Sequence, residues 1–177
     1  MSAFHIDDTG LFVAMGQPSN SRYEAVLRFT RRNDISFVLP ERVYDELTVD
    51  DADIEAPPID AAIDEGWATV APPLEFSESI VSRAMDGVQR YIANADDRHA
   101  DEIERADAAL PALAAQDLSA GTATEVYIYT TEIVAGEGAD TVLASEGYGD
   151  SVTFVNGFRF IEDLVTRDGS FRVGRTA

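Results

Sequence analysis

The stretch Phe4-His5-Ile6-Asp7-Asp8-Thr9-Gly10-Leu11-Phe12 decides how this chain is read. Residues 3–7 have the apolar character of a short strand, and they run directly into two carboxylates and a Thr-Gly turn. In an open α/β sheet, ligands bind beyond the carboxyl ends of the strands. A carboxylate that closes the first strand therefore stands where such folds do their chemistry. Asp8 also precedes Thr-Gly-Leu, the setting of a helix N-cap, so a helix is expected from Thr9 or Gly10. Asp7 alternates to the other side of the strand end and reads as a solvated acid.

Working outward, Pro18-Ser19-Asn20 interrupts that helix. Residues 21–32 predict a second one, with Tyr23, Val26, Leu27 and Thr30 on one face. Residues 35–39 read as a strand, and Pro40 sits in the first turn of a helix that continues through Leu47. Residues 48–60 are acidic, contain Pro57-Pro58 and read as a loop, with a short helix at 60–65 and a strand at 67–70. A helix is expected over 77–92, another through Ala106, and a third over 107–118. Pro111 removes the hydrogen bond to the carbonyl of Asp107, so that helix either kinks or restarts with Asp107 as N-cap. A loop at 119–124, strands at 126–130 and 152–155, and helices at 136–146 and 158–165 complete the chain. Strands that alternate with helices predict a three-layer α/β/α fold with a central, mostly parallel sheet of four to five strands. The right-handed crossover rule brings the strand ends to one edge. Residues 1–177 read as a single domain with an extended loop or insertion around 48–76.

Composition narrows the chemistry. The 177 residues carry 33 acids and 13 basic residues, every one of them Arg, for a net charge of −20. A lysine-free acidic surface suits multimolar salt, where the Debye length is ~3 Å or less and carboxylates repel weakly. The expectation is a halophilic, cytoplasmic protein; no signal peptide and no membrane span are visible. A nucleic-acid mimic is the rival reading, but the acids are scattered rather than set in rows. With no Cys and only His5 and His99, thiol catalysis and Cys/His zinc sites are excluded.

Four acids follow or cap elements that should end at the edge where the strands finish. Asp8 closes the first strand. Glu46 lies in Pro40-Glu41-Arg42-Val43-Tyr44-Asp45-Glu46-Leu47. Asp107 precedes an Ala/Leu-rich helix, and Glu132 follows the strand 126–130 in Thr130-Thr131-Glu132.

In this order the chain resembles the PIN-domain ribonucleases, a family that includes the toxins of many toxin–antitoxin pairs. The landmarks are Asp8-Thr9 after the first strand, Pro40 to Leu47, Asp107 to Ala115, and Thr130 to Glu132. They span nearly the whole chain. Each motif is short, so order and spacing carry the resemblance. It implies a Mg2+- or Mn2+-dependent endoribonuclease that hydrolyses RNA phosphodiesters. Asp8, Glu46, Asp107 and Glu132 would be its catalytic acids, with Asp8, Asp107 and Glu132 on the metal. Hard cations prefer oxygen ligands and keep several waters, and carboxylate-held ions activate water and stabilise charge on the scissile phosphate. Thr9 and Thr131 would orient carboxylates or water. Arg28, Arg31 and Arg32 are candidate phosphate contacts, against a plainer role at a helix C-terminus. Glu104 would be auxiliary. The partners implied are RNA, an antitoxin protein, and a second copy of the chain as a homodimer.

The chain departs from the family pattern twice. Glu132 stands where an Asp is usual, and the stretch between Asp107 and Glu132 is longer than usual, which makes Asp117 an alternative third acid. The second reading is therefore a catalytically degenerate PIN-like domain that binds RNA or protein. A phosphoacceptor receiver domain and a haloacid-dehalogenase phosphatase both rely on a Lys, which this chain lacks.

Overall fold

The computed structural model describes residues 2–48, 58–103 and 105–173. In chain order they form β1 (Ala3–Asp7), α1 (Thr9–Met15), α2 (Ser21–Asn33), β2 (Phe37–Leu39), α3 (Glu41–Thr48), α4 (Pro58–Asp64), β3 (Ala68–Val70), α5 (Ser79–Asp96), α6 (Arg105–Ala120), β4 (Glu125–Thr130), α7 (Ile133–Ser145), β5 (Val152–Asn156) and α8 (Gly157–Val173). The five strands make one sheet in the order β3-β2-β1-β4-β5. Every pairing is parallel.

Parallel strands need crossovers, and the crossovers cover both faces. Helices α1, α2 and α8 pack together on one side, while α5, α6 and α7 pack together on the other. The result is the expected three-layer α/β/α architecture. The stretch 58–76 contributes α4 and the sheet's outer strand, β3; residues 49–57 lie outside the described residues. Among the described residues, no helix is long and apolar enough to cross a membrane.

β1 sits at the centre of the sheet, and its last two residues are buried on opposite faces. Ile6 is fully buried. Its neighbours His5 and Asp7 point to the opposite face, where His5 stacks on Tyr127 at 5.0 Å and Tyr129 meets Phe37 and Phe160 at 5.0 Å each. Phe160 carries the cluster onto Phe29 of α2.

Two helix readings are corrected. No α-helix forms just after α5; residues Ala100–Glu102 make a single 3-10 turn. Helix α6 then begins at Arg105, so Asp107 stands in its first turn rather than at its cap. Nor does Pro111 break it, since α6 runs unbroken from Arg105 to Ala120. An interior proline costs ~3 kcal/mol. Here Ala108, Ala109, Ala112, Ala114 and Ala115 are fully buried, and their small side chains let α6 pack closely on α5, α3 and α7. That packing outweighs one lost backbone bond.

Candidate active site at the switch point of the sheet

The strand order runs outward from β1 in both directions, through β2 and β3 on one side and through β4 and β5 on the other. β1 and β4 therefore flank the topological switch point, where open α/β sheets form their ligand crevice. Asp7 pairs in register with Tyr129, so the next rung sets Asp8 beside Thr130.

That rung organises the site. Asp8 is buried and in extended backbone, and it caps α1: its Oδ1 accepts from the Leu11 N–H at 2.8 Å. Its Oδ2 accepts from the Thr130 hydroxyl and from the Thr131 N–H at 3.2 Å. The Glu132 N–H in turn donates to Thr130 Oγ1 at 3.0 Å. One carboxylate thus ties the end of β1, the start of α1 and the end of β4 together. Burial pushes its pKa up and the Glu132 charge adds to this, while the bonds from Thr130, Leu11 and Thr131 oppose the shift. Thr130 is the residue that sequence reasoning missed. Its signal is its place as the last residue of an apolar strand, on the rung beside Asp8.

Glu46 joins from α3, accepting a 2.7 Å hydrogen bond from Thr9 Oγ1. The Glu46 side chain is exposed, as is that of Glu132. Asp107 is half-buried. Because α6 leads into the start of β4, its first turn lies at the edge where the strands end, which puts Asp107 at the same edge as the other three acids. Among the described residues, no three acidic or imidazole side chains stand close enough to hold an ion. Of the other three acids, Glu132 is the one whose charge reaches Asp8. Mg2+ is commonly held by one or two carboxylates and keeps its waters, so this donor set fits such an ion. Glu104 lies outside the described residues.

Other placements differ from expectation. Asp7 is not solvated. It is fully buried, with neither carboxyl oxygen hydrogen-bonded. Alternation does send it to the other face, but that face is covered by α2 and α8. Burial first, then the neighbouring Asp8 charge, push its pKa well above the usual carboxylate range. Arg31 and Arg32 end α2 just before β2 begins, at the edge opposite the acids. Arg31 pairs there with Glu65 at 3.5 Å, and Arg28 pairs with Glu24 at 3.7 Å. Asp117 also stands at that far edge, where its carboxylate and carbonyl hold Thr122.

The loops of the site meet at Gly10. A Cβ there would lie 1.9 Å from Thr131 Oγ1, so only glycine lets α1 start against the β4 turn. Gly10→Ala is expected to cost about 1–3 kcal/mol by overpacking, and Gly10→Ala/Thr131→Ala to recover part of it. Thermal melts of the four proteins of this cycle check the coupling; a single variant as stable as wild type would remove the contact from consideration.

Comparison with curated proteins and with solved structures returned no match. The family model described as Halobacterial PIN domain matches residues 1–168, and the chain belongs to that family.

Proposed function

We propose that this protein is a Mg2+- or Mn2+-dependent endoribonuclease acting at the β1–β4 switch point. The observation that carries the reading is Asp8. It is a carboxylate at the crevice of the fold, held by three donors, yet burdened by burial and by the Glu132 charge. A cation relieves that burden. Asp8 and Glu132 would hold the ion, with Asp107 of α6 as the third candidate ligand. When bound, the ion supplies an activated water and neutralises charge on the phosphate. The chain's own part is positional. Thr130 and Thr131 fix the orientation of Asp8, and Thr9 holds Glu46 towards the same edge, where it can accept a proton from the attacking water. With no Lys in the chain, and Arg31 and Arg32 at the far edge, the RNA phosphate would lean on the ion for its charge partner. Such an activity serves equally as the toxin of a toxin–antitoxin pair, with an antitoxin partner, or in RNA processing, and a homodimer is compatible with either role.

The second reading, a degenerate PIN-like domain that binds RNA or protein, is favoured by the missing three-acid cluster among the described residues and by Glu132 in place of Asp. Titrating Mn2+ and Mg2+ in multimolar KCl, while following thermal stability and cleavage of a labelled RNA pool, separates the two. A saturating ion is expected to stabilise the fold by ~2.7 kcal/mol at a hundred times its Kd, with cleavage. Stabilisation without cleavage selects the second reading; neither effect sinks the first.

A further inference from the structure

At the edge where β2 and β3 end, helices α3 and α6 and the loop after β3 line an open cavity of about 330 Å3, at the lower end of ligand-sized pockets, which run ~300–1,000 Å3. Its walls include Pro72, Pro73 and Phe76 from the loop, and Glu41, Arg42 and Asp45 from α3. Ala109 and Leu113 of α6 form its floor. Both helices also carry acids of the candidate site: Glu46 follows Asp45 on α3, and Asp107 stands two residues before Ala109 on α6.

Phe76 at the rim of this cavity is 51% exposed, so its ring is available to a ligand. Its segment is nevertheless pinned. The Glu75 N–H donates to the Gln116 carboxamide at 2.8 Å, and the Ser82 hydroxyl donates to the Phe76 carbonyl at 3.2 Å. An exposed ring on a fastened segment, next to a cavity with one guanidinium and two carboxylates, matches what an unstacked base requires. The ring offers a π-face, the guanidinium donates to ring acceptors, and the carboxylates accept from exocyclic amines. The same carboxylates repel a phosphate, so the cavity suits a base and not the backbone.

We infer that this cavity is a nucleobase subsite, taking one base of single-stranded RNA next to the phosphodiester presented to Asp8. The inference rests on the ribonuclease reading and deepens it by assigning a base-recognition subsite to this cavity. Phe76 is the stacking platform; Arg42, Glu41 and Asp45 read the base edge. Bases with an exocyclic amine are preferred over uracil.

The test is a Phe76→Trp protein titrated, in multimolar KCl, with uridine hexamers that carry a single A, C or G, and with the plain uridine hexamer. Stacking is expected to quench the new indole emission, more strongly with an amine-bearing base than with uridine alone. In parallel, Phe76→Ala should raise KM for single-stranded RNA about 5- to 100-fold, the range that stacking supports, with kcat little changed. Arg42→Gln should flatten the preference among bases. No quenching, together with an unchanged KM in Phe76→Ala, overturns the subsite even if wild type cleaves RNA. Equal quenching by all four hexamers overturns the edge reading. Quenching by a protein that never cleaves keeps the subsite and rejects the nuclease, so the two failures are distinguishable.

Discussion

Replacing Asp8 by asparagine is expected to reduce metal-dependent RNA cleavage on the order of 100-fold or more and to lower stability at the same time. Altering groups that merely support metal ligands costs ~10–100-fold, and Asp8 is proposed as a ligand itself. The stability loss follows from geometry. Asp8 accepts the Leu11 N–H on one oxygen and the Thr131 N–H on the other. Whichever way a carboxamide turns, its NH2 faces one of those donors. One buried N–H is then orphaned, at a cost of about 1–2 kcal/mol. Metal-induced stabilisation, read as a shift in Tm with Mn2+, should vanish in the variant. Retained cleavage by Asp8→Asn would remove this residue from the site.

Asp7→Leu is expected to do the reverse and raise stability. Leucine branches at the same position with the same number of heavy atoms, so it replaces two unpartnered buried oxygens with methyl groups. Relief of an unsatisfied buried polar group amounts to about 1–3 kcal/mol. For a chain of this length that is a rise in Tm of roughly 3–10 °C. The pH dependence has a definite sign. Folding raises the pKa of Asp7 above its ordinary 3.8, so the folded state holds the proton more tightly than the unfolded chain. The cost of ionising Asp7 within the wild-type fold is absent below about pH 4 and grows as pH climbs from there towards the raised pKa. The advantage of Asp7→Leu should therefore be largest at neutral pH and shrink in acid. Asp7→Val, which lacks the extra bulk, guards against overpacking. If both variants melt lower than wild type at pH 7, the carboxyl has a partner that the geometry does not contain. Gains in stability coupled to lost cleavage would mark Asp7 as strain retained for function.

These two neighbours show what the sequence carried and what it could not. The strand and the cap at Asp8 were legible because alternation and an Asp-Thr-Gly turn are local signals. The burial of Asp7 was not, because nothing in residues 3–8 says that β1 takes the central place in the sheet. That place depends on β2 and β4, which lie some 30 and 120 residues away. The same limit explains Arg28, Arg31 and Arg32. Their spacing on α2 was readable, but the edge at which α2 ends is a property of the topology. Pro111 is the converse case, in which a strong local signal was overridden by the packing of α6. The sequence places the four acids on elements that end at one edge, yet their separations depend on side-chain placement, which spacing does not encode.

The bond between Asp8 and Thr130 spans 122 positions of chain, and this has a consequence for synthesis. A polypeptide emerging from the ribosome exposes the first strand well before its partner at the switch point, which follows 122 residues later. Pairings of such long reach are slow to form because their loops must close first. The crevice cannot exist on a nascent fragment. The candidate site therefore assembles only once β4 has been made, and products truncated before it carry the earlier acids without the strand that holds Asp8.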